Sequence, residues 1–169
     1  MKNHLLQYAQ YNLWANKKVC DFLQTLSDEQ FNKEIVNSFP SVKKTMLHIW
    51  DAQFIWIKRL EGTSLSDFPS KTFSGTFEDI EQGILETSQQ IIDYVDTSGD
   101  SFLRSKLTYK NVVGDEFTSV VSDIIQHVNN HSTFHRGQII TMLRQLGFTK
   151  LFATDYIAFC REQEAKVTA

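Results

Sequence analysis

Two cysteines, two prolines and seven glycines in 169 residues rule out several familiar designs. Cys20 and Cys160 form neither a metal-type cysteine pair nor a disulfide framework, so free thiols in a reducing compartment are expected. No run approaches the roughly 20 consecutive apolar residues of a membrane span. Residues 1–12 carry no apolar signal core, which by elimination points to a cytoplasmic protein. An excess of positive charge is missing too: 17 Lys and Arg stand against 20 Asp and Glu. The basic residues are scattered apart from pairs such as Lys17-Lys18 and Lys43-Lys44, so neither nucleic acid nor a membrane is expected as a partner. The chain has no phosphate-binding glycine loop, no serine nucleophile elbow and no supported Cys–His pair.

What is present suits a single helical domain. Thirteen Phe, five Tyr and three Trp supply bulky core material, and the length allows one sizeable core. Pro40, Pro69, Gly62, Gly75, Gly99, Gly114 and Gly147 all fall between periodic segments. Residues 2–26 place Leu5, Tyr8, Asn12, Ala15, Val19, Phe22 and Leu26 on one stripe, the inner seam of a helix. A second helix over residues 41–61 stops before Gly62, with Lys58 and Arg59 complementing its C-terminal dipole. Its stripe is Thr45, His48, Ala52, Ile55 and Arg59, with Ile49 and Trp56 alongside. After a loop over residues 62–75, Thr76 with Asp79 forms a capping pattern. Phe77, Ile80, Ile84, Ile91 and Val95 then give a third buried edge. Residues 99–117 read as an irregular connection or a small hairpin. A fourth helix follows over residues 118–146, closed by Gly147, and Thr154-Asp155 open a short last helix through residue 161. The expected fold is all-α, a four-helix bundle with a crossover of about 15–20 residues between the last two long helices.

Three of the five histidines, His127, His131 and His135, lie in one window. A spacing of four advances a helix by about 40°, so His131 and His135 stack one turn apart on one face. The seam of the fourth helix runs Val121, Ile124, Val128, His131, His135, Gln138, Met142 and Leu146. Two imidazoles therefore sit where apolar residues belong, and burying each without a partner costs on the order of 1–3 kcal/mol. His48 holds the same kind of position on the second helix. One divalent ion on His48, His131 and His135 satisfies all three at once; core histidines bonded to Asn12, Gln138 or backbone are the alternative. Three imidazoles leave a coordination position open for water or substrate. Zinc or nickel suits such a set best, with manganese or iron also compatible.

Around these ligands the sequence offers several polar candidates. Asn12 and Gln138 lie on apolar stripes, each either orienting a ligand or substrate or making a hydrogen bond between helices. Asp51 is placed to hold His48 through its second nitrogen, or is an ordinary exposed acid. His127 is assigned to packing or to support of the ligands, tied to Asp123 one turn earlier. Arg136 is expected in a salt bridge at the bundle surface, and Gly137 implies close approach of another backbone. His4 receives no role.

Tyr11-Asn12-Leu13-Trp14-Ala15-Asn16, Met46-Leu47-His48-Ile49 with Trp56 and Leu60-Glu61-Gly62, and the string from His127 to Gln138 resemble the DinB/YfiT-like superfamily over nearly the whole chain. The resemblance implies a four-helix bundle, a three-histidine site at His48, His131 and His135, zinc or nickel, and a homodimer. It also implies chemistry on small molecules: some relatives transfer low-molecular-weight thiols such as bacillithiol to electrophiles, and others resemble mycothiol-dependent isomerases or hydrolases. Phe134 stands where the family often has a further histidine.

Two functions from different classes follow. One is a metal-dependent thiol transferase or hydrolase acting on a small electrophile in stress or detoxification. The other is a non-catalytic, homodimeric stress protein that binds a metal or ligand. As an interaction module, it would leave an apolar face of the first or third helix uncovered. No residue stands out as a general base, and thiol chemistry at a metal requires none.

Overall fold

The structure, a computed structural model, describes residues 1–167. The helices are α1 (Lys2–Leu23), α2 (Asp28–Asn32), α3 (Val42–Leu60), α4 (Phe77–Thr97), α5 (Asp100–Leu103), α6 (Val121–Gln145) and α7 (Tyr156–Val167). Strands β1 (Lys106–Lys110) and β2 (Glu116–Val120) form one antiparallel hairpin between α5 and α6. The four long helices close a bundle in which α1 and α3 each pack on both α4 and α6.

Local signals account for most boundaries. Ser41 caps α3 by accepting from the Lys44 amide, and Thr76 with Asp79 forms a reciprocal capping box on α4. Gly147 takes φ 93° just past α6, a conformation that favours glycine. α1 ends three residues earlier than its stripe suggests. The amides of Thr25 and Leu26 tighten into bonds to Phe22 and Leu23, and Ser27 with Gln30 then boxes the short α2. α6 begins at Val121 rather than at residue 118, because Thr118 is paired with Thr108 in the hairpin ladder. α7 runs past residue 161 to Val167.

The core has two apolar halves. Leu5, Ala9, Ile57, Ile91, Val95, Val121 and Val128 fill one; Val19, Leu23, Val42, Met46, Ile80, Ile139 and Leu143 fill the other. α1 and α6 thus run one way and α3 and α4 the other. The connection between α4 and α6 stays at one end of the bundle as the hairpin. The segment that crosses the bundle's length is residues 61–76, returning the chain from the end of α3 to the start of the parallel α4. It is pinned at mid-course, where the Ser70 amide and hydroxyl donate to Asp51 on α3 at 2.8 and 2.5 Å.

A buried polar layer joins all four long helices between the two halves. Arg136 Nη1 on α6 donates to Asn12 Oδ1 (2.6 Å) and Asn16 Oδ1 (2.7 Å) on α1. The Asn12 and Asn16 amides donate to Gln53 Oε1 on α3, and Gln53 Nε2 donates to Thr87 Oγ1 on α4. Arg136 is only 1% exposed, so it makes no surface salt bridge. With no ion pair to a carboxylate among the described residues, it is held by amide oxygens and Thr133, and charged donors make the stronger bonds.

Other expectations shift. The buried seam of α3 is Val42, Thr45, Met46, Ile49, Gln53, Ile57 and Leu60, while His48, Ala52, Ile55 and Trp56 are half-buried beside it. Nothing lies within 4 Å of a Cβ built on Gly137; the tightest glycine of the long helices is Gly83, whose Cβ would sit 2.1 Å from Trp50 Cε2. Both cysteines are free. Among the described residues no helix is long and apolar enough to cross a membrane. α7 covers part of α1 through Phe159 against Tyr11 and Trp14. The large exposed apolar side chains include Val112, Val113 and Phe117 of the hairpin and Phe134 of α6.

Candidate metal centre

α3 carries His48 to the edge of the bundle facing α6, which presents His131 and His135 one turn apart. Their Nε2 atoms converge: His48 to His131 is 3.0 Å and His135 to His131 is 3.1 Å. The three nearest ligand atoms all lie within 4.8 Å of one another. Zinc–nitrogen bonds of about 2.0–2.1 Å place tetrahedral ligands about 3.3 Å apart, so the spacing is of the right size for one shared ion.

Protonation favours the same use. His135 Nδ1 lies 2.7 Å from Gln138 Oε1. A Gln138 oxygen accepts only from Nδ1–H, which leaves the Nε2 lone pair of His135 facing the other two rings. Gln138 Nε2 is meanwhile near Ser38 Oγ at 3.5 Å, consistent with this amide orientation. Burial, then the charge of neighbouring histidines, lowers His48 to about 4 and His131 to about 3. Burial also lowers His135, opposed by its bond to Gln138. All three rings are therefore neutral at pH 7, as ligands must be. With His135 committed to Nδ1–H, hydrogen bonds within the trio cannot use every facing nitrogen, whereas a cation accepts all three lone pairs.

Phe39, in the loop before α3, stacks on His48 at 3.9 Å and meets His135 edge-on at 5.6 Å. It walls one side of the cluster. No periodicity marked Phe39, because its role depends on a loop folding back over two helices.

The other candidates divide. Gln138 is bonded to a ligand histidine. Asn12 is not at the site: its amide lies in the buried layer, bonded to Gln53 and Arg136, the interhelical alternative. Asp51 neither holds His48 nor lies exposed; it is 7% exposed and anchors Ser70, and burial raises its pKa. His127 has no hydrogen bond to Asp123 among the described residues. Its ring instead packs 5.2 Å from Trp56 and 5.8 Å from His131. His4 is exposed near the start of α1.

A cavity of about 280 Å³ is lined by Trp56, Tyr109, Ser119, Asp123, Ile124 and His127. A larger one of about 510 Å³ sits near the N-termini of α3 and α4, lined by residues such as Phe31, Lys43 and Phe77. Neither is lined by His48, His131 or His135; the smaller one is lined by His127, whose ring lies 5.8 Å from that of His131.

A four-helix bundle with three imidazoles converging between two antiparallel helices is the class this architecture defines. The DinB family model matches residues 1–166. Protein DinB of Bacillus subtilis (strain 168) is 30% identical over 163 residues, covering 92% of this chain and 93% of that one. The chain belongs to the DinB family. Among solved structures it is similar to the DinB-like protein YjoA of Bacillus subtilis, with TM-score 0.64, 12% identity and coverage of 88% of this chain and 98% of that one. A DinB-like protein from Bacillus cereus ATCC 10987 has the same fold at TM-score 0.64 and 18% identity, covering 86% of this chain and 95% of that one.

Proposed function

We propose that the chain is a metal-dependent enzyme that activates a small thiol or a water for attack on a small electrophilic molecule. The convergence of three neutral imidazoles, with the His135 lone pair fixed by Gln138, carries this reading. His48, His131 and His135 would hold the ion, and an all-imidazole set suits zinc or nickel. A divalent ion there supplies Lewis acidity, lowering the pKa of a water or thiol that joins it. The protein contributes the rest. Gln138 orients His135, Phe39 shields the His48 ring from solvent, and the cavity beside His127 offers room for the reactant. A thiol, whose proton is lost readily near neutral pH, needs no dedicated base beyond such an ion.

Elemental analysis of the purified protein should find close to one zinc or nickel per chain, sharply reduced in His135→Ala. Equal content in both would remove the site. Turnover of a thiol with 1-chloro-2,4-dinitrobenzene should require the ion and vanish in His131→Ala. No metal-dependent turnover across a panel of thiols, electrophiles and esters would leave a binding protein instead.

A further inference from the structure

Phe134 is 63% exposed on α6, the most exposed phenylalanine, tyrosine or tryptophan among the described residues. It directly precedes His135 and follows His131 by three residues, so it shares the edge of α6 that carries His131. Its ring centre lies 5.0 Å from that of His135, with the planes at 81°. Phe39 meets the same imidazole edge-on at 5.6 Å. His135 is thus flanked by two phenyl rings and is itself 5% exposed. Phe39 is half-buried, whereas Phe134 stands largely in solvent.

Gly137 gives that position a second feature. It follows Phe134 by three residues and adjoins it on the helix surface. A glycine inside a helix costs stability relative to alanine, yet nothing lies within 4 Å of a Cβ built there, so no packing contact requires it. Bare helix surface therefore lies beside an exposed phenyl ring. Asn130, Thr133 and Gln138, also within one turn of Phe134, carry no charge. On the bundle side the neighbours of the ligand histidines, Thr45, Ile49, Ser132 and Ile139, are all buried. The coordination position that three imidazoles leave open is then approached from the outer edge, where Phe134 stands.

We propose that Phe134 is a specificity-determining residue: it receives the uncharged apolar end, aryl or alkyl, of a reactant whose thiol or electrophilic centre reaches the ion. Gly137 leaves the helix surface clear for that group, and Phe39 bounds the histidines on the side of the loop before α3. The centre would thus select apolar-tailed reactants over small polar ones. This deepens the metal-centre reading and rests on it. The place is distinct from the cavity beside His127, which lies on the other side of His131 along α6.

The test uses full-length protein loaded with cobalt(II), whose thiolate charge-transfer absorption reports a bound thiol. Two thiols of similar acidity, phenylmethanethiol and 2-mercaptoethanol, are titrated in. Wild type should bind the aryl thiol about tenfold or more tightly, the scale of partly burying one phenyl ring. Phe134→Ser should remove most of that preference, leaving 2-mercaptoethanol binding and cobalt content unchanged. Gly137→Gln, which covers the bare surface with a polar chain, should also weaken the aryl thiol selectively while raising Tm. Equal binding of the two thiols by wild type, or a preference that survives both substitutions, would overturn the proposal. So would sedimentation showing that Phe134→Ser turns a dimer into a monomer, which would assign the ring to a second copy of the chain. Should Phe134→Ser fail to fold, wild type and Gly137→Gln decide. Cobalt content no higher in wild type than in His135→Ala would overturn the metal reading and this proposal with it; cobalt bound without an aryl preference would overturn this proposal alone.

Discussion

Replacing Gln138 with alanine deletes the acceptor that fixes His135 while leaving all three proposed ligands in place. The bond concerned is 2.7 Å from Nδ1 to Oε1. Loss of such an outer partner typically costs 10–100-fold in metal affinity, about 1.4–2.7 kcal/mol. In the metal-free protein the loss is one partly buried hydrogen bond, about 0.5–1.5 kcal/mol. The two effects separate in a thermal melt run with and without zinc. At free metal 100 times the wild-type Kd, binding stabilises the fold by about 2.7 kcal/mol; the same concentration gives the variant only about 0.4–1.4. For a domain of this size, each kcal/mol moves Tm by about 2–4 °C. The zinc-induced rise should therefore shrink from about 5–11 °C to about 1–6 °C. Gln138→Glu, which offers a stronger acceptor, should restore or exceed the wild-type rise. An Ala variant whose zinc increment matched wild type would refute the argument that this bond prepares His135 to bind an ion.

The same physical reading bears on stability. Arg136→Met strands the oxygens of Asn12 and Asn16 in the core and should cost about 2–4 kcal/mol in urea unfolding; a neutral or stabilising result would show that the polar layer is dispensable. Gly83→Ala should destabilise despite a helix-propensity gain of about 1 kcal/mol, because the new Cβ meets the Trp50 indole. Adding Trp50→Leu should then recover the loss, and a stable single variant would contradict the packing. In the metal-free protein, His48 and His131 titrate below their unfolded value of 6.5. Unfolding then takes up protons, so stability should be full above about pH 6.5 and fall progressively toward pH 4. A His48→Ala/His131→Ala pair should flatten that slope, and an unchanged slope would place its cause elsewhere.

The long helices were legible because their apolar period and capping residues agree: Ser41, Thr76 and Gly147 act where the pattern changes. His131 and His135 were legible as a pair because one helix fixes their spacing, and His48 because a polar ring interrupted an apolar stripe. The short α2 was readable in principle from Ser27 and Gln30 but too brief to show periodicity. Arg136 and Asp51 were misplaced, and Asn12 was left between two readings, for a shared reason: each bonds a group distant in sequence, so local spacing carries no trace of the partner. Arg136 follows His135 directly, yet a turn of about 100° per residue sends it into the core. Gly83 was passed over because the Trp50 indole that needs its bare Cα is more than 30 residues away in the chain.

The polar layer has a bearing on how such a centre is transplanted. Asn12, Asn16, Gln53, Thr87 and Arg136 match at only one relative height of the four helices, since sliding any helix by one turn, about 5.4 Å, would leave amides and a guanidinium stranded in hydrocarbon. The layer therefore acts as a key and keyway: it indexes α6 against α3 from behind, and that index brings His131 level with His48. Grafting the three histidines onto another bundle would copy the lock's face without the key that aligns it.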